Sequence, residues 1–235
     1  LAVALTLRVA SSVAAEDIAE LEELIVTARR VLTPGLGAVT LDTAEIARQR
    51  ARTSDTASLL KGIPGVAAYG AGGVSSLPVI RGLADDRLRT QVDGVDIAAA
   101  CPNHMNPPLS YIDPTAVAGV EVYAGVTPVS VGGDSIGGSI LVRSADPLFA
   151  ETGASLAQGS AGSFFRSNGS AWGGNFSGTY ATSGLSLGYA GSYAQSDNYQ
   201  SGDAFKDYTF TGRAGHTLPT DAVGSTAYES SNQSV

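Results

Sequence analysis

A strict alternation of side chains near the C-terminal end restricts the fold more than any other pattern in the chain. Apolar residues, aromatic residues and glycine alternate with small or polar residues, the first set being Leu185, Leu187, Tyr189, Gly191 and Tyr193 and the second Ser186, Gly188, Ala190, Ser192 and Ala194. A period of two predicts a β-strand with one apolar, aromatic face and one face of small residues. In a transmembrane β-barrel the first face meets lipid and the second lines the lumen. The alternative is a half-buried strand of a soluble sandwich.

The remainder of 148–235 shows the same alternation more weakly, at 163–175 and 205–213. The segment is rich in Gly, Ser, Ala and aromatic residues, and the whole chain has 29 Gly and only 15% charged residues. About four strands can be placed in it, whereas transmembrane barrels have at least about eight. We therefore expect 148–235 to be the first antiparallel strands of a transmembrane β-barrel that is truncated.

Residues 39–147 differ in composition and predict an α+β domain with a small mixed sheet. Two helices are expected, one at 42–52 with Asp42 as its N-cap and one at 53–61. Short strands bounded by Gly, Pro or Asp are expected at 65–69, 77–80, 89–92, 119–123 and 139–143. The segment 98–114 lies between the third and fourth of these strands, and irregular loops of this length are usually functional or disordered.

The N-terminal residues 1–15 have the pattern of a partial secretory signal peptide. A short apolar run is followed by small residues up to Ala15, after which cleavage is expected. The run is too short to span a bilayer, and the alternative is a buried N-terminal helix. The chain has one Cys, so an exported form has no internal disulfide and carries a free thiol that needs an explanation.

Residues 16–38 form a linker that contains a short β-prone segment. The segment consists of Glu23, Leu24, Ile25, Val26, Thr27 and Ala28. Its β-branched residues favour an extended backbone. Such a strand could add to the sheet edge of a partner protein, or it could be the first strand of the following domain.

Motifs for nucleotide binding and for catalysis are incomplete. The stretch 132–139 has the glycine spacing of a P-loop, but Gly138 stands where the phosphate-binding Lys must be, so we interpret these residues as turn glycines. Neither His104 nor His216 belongs to a metalloprotease pattern, and the sequence contains no nucleophile elbow. The net charge of −8 also disfavours binding to nucleic acid. The sequence therefore predicts that the protein is neither an enzyme nor a nucleic-acid-binding protein.

The most specific cluster of ligand-type residues lies in the irregular segment 98–114. The only Cys and the only Met of the chain, Cys101 and Met105, are four residues apart, and His104 lies between them. Prolines at positions 102, 107 and 108 keep this loop extended, so the residues do not share a helix face. Thiolate and thioether sulfurs are soft ligands that select Cu(I) over hard cations. The alternative is a buried Cys and a gap-filling Met, and the chemistry alone does not decide between them.

Together these segments resemble the TonB-dependent receptors over essentially the whole chain. Residues 23–28 resemble the TonB box of that family. The signatures of its plug domain follow in order, with the opening at 56–60 and 63–66, the central one at 79–83 and 92–95, and the closing one at 120–125 and 137–140. In one departure from the family pattern, Val126 follows Gly125 where Pro is usual.

Within this family, Cys101, Met105 and the residues that follow, 106–114, resemble the copper receptors. That resemblance implies that both sulfurs bind copper at the plug, that His104 is a ligand of second rank, and that barrel residues complete the site. Copper is then the transported substrate rather than a cofactor. His216 matches no motif and is expected to be a surface loop residue.

The family resemblance also implies a bacterial outer-membrane location and a partner. The TonB box would add as a strand to TonB, which transmits force from the inner membrane so that the plug moves and the ion passes. Two other functions remain open. One is a receptor for a ferric siderophore or another organic ligand, and the other is a passive adhesin or phage-receptor barrel.

Overall fold

The computed structural model describes residues 38–70 and 72–235, so the signal peptide and segment 23–28 lie outside the described residues. The N-terminal domain contains a five-stranded sheet formed by β1 (Ala38–Leu41), β4 (Leu88–Val92), β5 (Val95–Asp96), β6 (Gly119–Ala124) and β7 (Gly138–Arg143). Its order is β1-β6-β7-β4-β5. Strands β4 and β7 are parallel, and the other neighbours are antiparallel. The predicted small mixed sheet is confirmed.

One α-helix and one 3₁₀ helix precede this sheet's central strands. Helix α1 (Thr43–Arg50) begins as predicted, because the side chain of Asp42 accepts a hydrogen bond from the N–H of Glu45 at 2.8 Å. The second predicted helix, at 53–61, is present as a 3₁₀ helix, Thr56–Gly62. It ends at Gly62 because Pro64 disfavours helical backbone at Ile63, which is extended. Among the described residues, no helix is both long and apolar enough to cross a membrane.

The core of the domain lies where the helices and a small hairpin pack on the sheet. The hairpin pairs β2 (Val66–Tyr69) with β3 (Leu77–Ile80). The most deeply buried side chains of the core come from the two helices, the hairpin, strands β6 and β7 and the segment 108–111, and include Ile46, Leu59, Leu60, Ile80, Leu109, Val120, Val122, Ile140 and Val142. Every strand predicted in this domain is present, which shows that short segments bounded by turn residues were sufficient signals.

A second, antiparallel sheet follows the N-terminal domain. It is formed by β8 (Leu156–Arg166), β9 (Ala171–Ala181), β10 (Ser186–Ser196) and β13 (Tyr228–Ser234), in the order β13-β10-β9-β8. Between β10 and β13 lies a long loop in which the short strands β11 (Tyr199–Gln200) and β12 (Ala222–Val223) pair with each other. The antiparallel strands predicted after the α+β domain are confirmed.

Two of the weaker strand predictions are wrong. A single strand does not cover 163–175, because the left-handed backbone of Gly169 (φ 68°) and Ser170 (φ 48°) reverses the chain between β8 and β9. The stretch 205–213 contributes only a bridge between Phe210 and Thr217. Its alternation ends at a turn that contains Gly212 (φ 83°).

The two faces of the four-stranded sheet carry different kinds of side chain. Trp172 lies 5.5 Å from Tyr193 and Phe176 lies 6.4 Å from Tyr189, measured between ring centroids, on the same face. The opposite face carries small residues, including Ala171, Ala181 and Ala194, which are buried. The aromatic and small-residue faces predicted for β10 are therefore confirmed and extend over its neighbour β9.

The small-residue face lies against the N-terminal domain, and Arg166 at the end of β8 joins the two. Its guanidinium donates to the backbone oxygen of Ala51 and to the hydroxyl of Ser54, both at 3.2 Å. The hydroxyl of Tyr228 lies 3.1 Å from that of Ser54. Gly73 allows this approach, since a β-carbon there would lie 2.0 Å from the ring of Tyr228.

Candidate functional site

The loop that contains Cys101 and Met105 leaves the sheet at the edge strand β5. Because β5 runs antiparallel to β4, the loop starts at the end of the sheet where β4 begins. The same end carries the turn Asp85–Arg87, which precedes β4. This arrangement places the candidate ligands on a connection outside the sheet rather than in its core, and we call residues 98–107 the sulfur loop.

The backbone at the tip of the sulfur loop forms a tight turn. The N–H of His104 donates to the carbonyl oxygen of Cys101 at 2.9 Å, and His104 has left-handed backbone (φ 50°). Cys101 is half-buried, and the side chain of Met105 directly after the turn is 60% exposed. Neither sulfur-bearing residue is buried in the core. The alternative of a buried Cys with a gap-filling Met is therefore wrong.

Tyr111 closes the sulfur loop into a ring. Its hydroxyl accepts a hydrogen bond from the N–H of Ala100 at 2.8 Å and donates one to the carbonyl oxygen of Asn106 at 3.0 Å. One phenol group therefore fixes the two ends of the stretch that contains Cys101 and Met105. No sequence pattern predicts this contact, because a Tyr beyond two prolines has no periodic relation to the residues that it joins.

The base of the sulfur loop is anchored in the hydrophobic core. The 3₁₀ helix Pro108–Tyr111 follows directly, and Leu109 within it is only 1% exposed. The side chain of Asp113 then accepts hydrogen bonds from the N–H of Thr115 (2.8 Å) and from its hydroxyl. A loop with a fixed base and a closed ring loses less conformational entropy when it binds a ligand than a free loop would.

His104 lies in the same turn as Cys101, but its imidazole faces the turn before β4. Its Nδ1 is 4.0 Å from Oδ1 of Asp85, and its Nε2 is 3.7 Å from Oδ1 of Asp86. The side chain is 15% exposed and lines a narrow cavity of about 50 Å³ together with both aspartates. The imidazole therefore lies beside the turn that precedes β4.

Arg89 in β4 fixes the end of β5, from which the sulfur loop starts. Its guanidinium donates to both carboxylate oxygens of Asp96, at 2.6 and 2.8 Å, and to Asp134 at 3.0 Å. This hydrogen bonding lowers the pKa of the Asp96 carboxyl and raises that of Arg89. Arg89 also donates to the carbonyl oxygen of Gly132 at 2.8 Å, so the connection between β6 and β7 contacts the same guanidinium.

The arrangement provides an incomplete set of metal ligands. Within 38–70 and 72–235, no group of three or more His, Cys, Asp or Glu side chains is placed to hold a metal ion. Cys101 and Met105 would contribute two soft ligands, so a complete metal site would need further donors. His216, by contrast, lies in the loop between β10 and β13, as the sequence predicted.

Residues 36–139 match the family model of the TonB-dependent receptor plug domain. Three solved structures illustrate the similarity of the fold. The copper transporter OprC has 29% sequence identity and a TM-score of 0.58, over 82% of this chain and 26% of that one. The Serratia marcescens hemophore receptor HasR has 17% identity and a TM-score of 0.61, over 82% and 27%. The FrpB iron transporter of Neisseria meningitidis has 17% identity and a TM-score of 0.55, over 84% and 29%.

No significant match was found among curated protein sequences. The chain spans about a quarter of the length of the copper and hemophore receptors that it matches. The family-model match shows that residues 36–139 are a plug domain of the TonB-dependent receptor type, and the mixed sheet followed by antiparallel strands is also the arrangement of the matched receptor structures. Receptors with this plug domain are outer-membrane proteins, and the family consists of receptors and transporters.

Proposed function

We propose that the receptor takes up copper ions and that Cys101 and Met105 bind the ion at the plug. The observation that carries the proposal is the sulfur loop itself. Its two sulfur-bearing residues flank a tight turn and are accessible, and the hydroxyl of Tyr111 holds the loop closed. Sulfur donors favour Cu(I), whereas ferric ions prefer hard oxygen donors.

The comparison with solved structures supports copper over iron or haem. The copper transporter shares 29% of its aligned residues with this chain, whereas the hemophore receptor and the iron transporter share 17% each. An identity of 17% indicates a shared fold alone, so those two structures are no argument that this chain binds haem or iron. Copper would be the cargo of the receptor, and the remaining ligands would come from other parts of the full-length protein.

Metal loading of the full-length receptor tests the proposed substrate. We expect the purified receptor to retain copper after desalting when it is loaded under reducing conditions, and to retain much less zinc, because the two sulfur ligands favour Cu(I). Elemental analysis measures both metals, and a parallel titration with ferric enterobactin and with haem tests the alternative. Background copper together with tight binding of either iron compound would assign the receptor to the organic-ligand class.

The proposed energy source is TonB, which would pair with the TonB box, residues 23–28. Ile25→Pro removes a backbone N–H and fixes φ, so we expect it to abolish copper uptake by cells while copper binding by the purified receptor is unchanged. Ile25→Val is the matched control, because it keeps the N–H and a β-branched side chain and should transport normally. Uptake that survives Ile25→Pro would show that this segment is not the TonB box.

A further inference from the structure

Tyr111 contacts the sulfur loop on both sides of the residues that carry the sulfur atoms. Its hydroxyl accepts a hydrogen bond at 2.8 Å from the N–H of Ala100, which directly precedes Cys101. The same hydroxyl donates at 3.0 Å to the carbonyl oxygen of Asn106, which directly follows Met105. One phenol oxygen therefore fixes the backbone next to each of the two proposed copper ligands and limits how far apart these two backbone positions can move.

A turn inside this ring does not replace the contact with Tyr111. The N–H of His104 donates to the carbonyl oxygen of Cys101 at 2.9 Å, so the inner turn spans 101–104. Met105 lies just outside that turn. The position of its backbone relative to Cys101 therefore depends on the outer contact, in which Tyr111 holds Asn106.

The backbone of Tyr111 is itself anchored in the core of the plug domain. Tyr111 ends a short 3₁₀ helix in which Leu109 is buried. The carbonyl oxygen of the next residue, Ile112, accepts a hydrogen bond from the hydroxyl of Thr56, which is also buried. Because both neighbouring contacts lie in the core, the phenol is a fixed point to which the sulfur loop is attached.

The side chain of Tyr111 contributes little to the core itself. Tyr111 is 42% exposed and lines a cavity of about 230 Å³ whose other lining residues come from the plug domain and from strands β10 and β13. Phenylalanine has the same ring without the group that donates and accepts hydrogen bonds. The effect of Tyr111→Phe is therefore expected on the sulfur loop rather than on the fold.

We propose that Tyr111 is a positioning residue that sets the affinity of the receptor for copper. By holding the sulfur loop closed before the ion arrives, it restricts the positions that the two sulfur donors can take. Without the hydroxyl, binding must also order the loop, and the conformational entropy lost in that step lowers the affinity. The inference rests on the proposed copper function and extends it to a residue that is not a copper ligand.

Titration of the full-length receptor with Cu(I) against a competing chelator tests the role of Tyr111. We expect Tyr111→Phe to bind Cu(I) about tenfold more weakly than the wild type, because two hydrogen bonds that order the loop are lost. Tyr69→Phe is the matched control. It removes the same hydroxyl from an exposed tyrosine in β2, and it should bind Cu(I) as the wild type does.

Hydrogen exchange, followed by mass spectrometry, separates a positioning role from a purely structural one. In the wild type, peptides that cover the sulfur loop should be protected both with and without copper. In Tyr111→Phe the same peptides should lose protection without copper and regain it when copper binds, because the bound ion then orders the loop. Peptides from β6 and β7 should be equally protected in both proteins.

Three outcomes would contradict the inference in different ways. Equal Cu(I) affinity of the wild type and Tyr111→Phe would overturn the inference and leave the proposed copper function intact. Lost protection of β6 and β7 in Tyr111→Phe would show that the hydroxyl supports the plug fold instead of positioning the loop. A wild-type receptor that retains no copper would overturn the proposed function, and the inference about Tyr111 with it.

Discussion

Cys101→Ser is expected to remove most of the copper bound by the full-length receptor. A hydroxyl replaces the soft, anionic sulfur donor, and it binds Cu(I) poorly. Loss of residues that only support metal ligands costs roughly 10–100-fold in affinity, so we expect loss of this ligand to cost more than about 100-fold. Elemental analysis after copper loading and desalting gives the bound metal, and a competition titration with a Cu(I) chelator gives the affinity.

Two variants in the same turn serve as graded comparisons for Cys101→Ser. Met105→Leu should have a smaller effect, because a neutral thioether contributes less than a thiolate. His104→Ala should have the smallest effect of the three, about tenfold or less, because the imidazole lies beside Asp85 and Asp86 and would act on the metal only as a supporting residue. Equal copper content in the wild type and in Cys101→Ser would rule out this site.

The α+β domain could be predicted from the sequence because its signals are local. Asp42 caps α1 three residues before Glu45, and the short runs that became β4 and β7 are each bounded by turn residues. The parallel pairing of these two strands could not be read from the sequence. Paired residues of the two strands, such as Leu88 and Gly138, are 50 positions apart in the chain, and pairing at that distance depends on packing rather than on any local pattern.

In the second sheet, local patterns were less reliable. Strand β13 (Tyr228–Ser234) is almost entirely polar, so its sequence does not alternate, and it is a strand because β10 offers a free edge from Ala190 to Ser196. The turn at Gly169 and Ser170 interrupted an alternation that appeared continuous through 163–175. Period-two patterns therefore identified the faces of this sheet better than the ends of its strands.

At the candidate site, the sequence identified residue types but not their orientations. The proximity of Cys101, His104 and Met105 was visible in the spacing, but the direction of the imidazole was not, because it depends on Asp85 and Asp86, nearly 20 residues earlier. The role of Tyr111 was invisible for a similar reason. Its hydroxyl joins Ala100 to Asn106 through contacts that no motif records. Both residues shape the loop without being its proposed main ligands.

Gly138→Ala is expected to destabilise the plug domain strongly, although it adds only one methyl group. Gly138 begins β7 with φ 137°, and a β-carbon there would lie 2.1 Å from the backbone oxygen of Tyr123 in β6. Backbone strain and overpacking together are expected to cost roughly 2–6 kcal/mol, because neither strand can move without breaking the β6–β7 ladder.

Hydrogen exchange of the full-length receptor, followed by mass spectrometry, should show lost protection in peptides from β6 and β7. Gly62→Ala is the matched control, since its β-carbon would meet no atom within 4 Å. Copper binding should also fall in Gly138→Ala, because the sulfur loop starts from β5, which pairs with β4 in the same sheet. Equal protection of β6 and β7 from hydrogen exchange in the two variants would contradict the prediction.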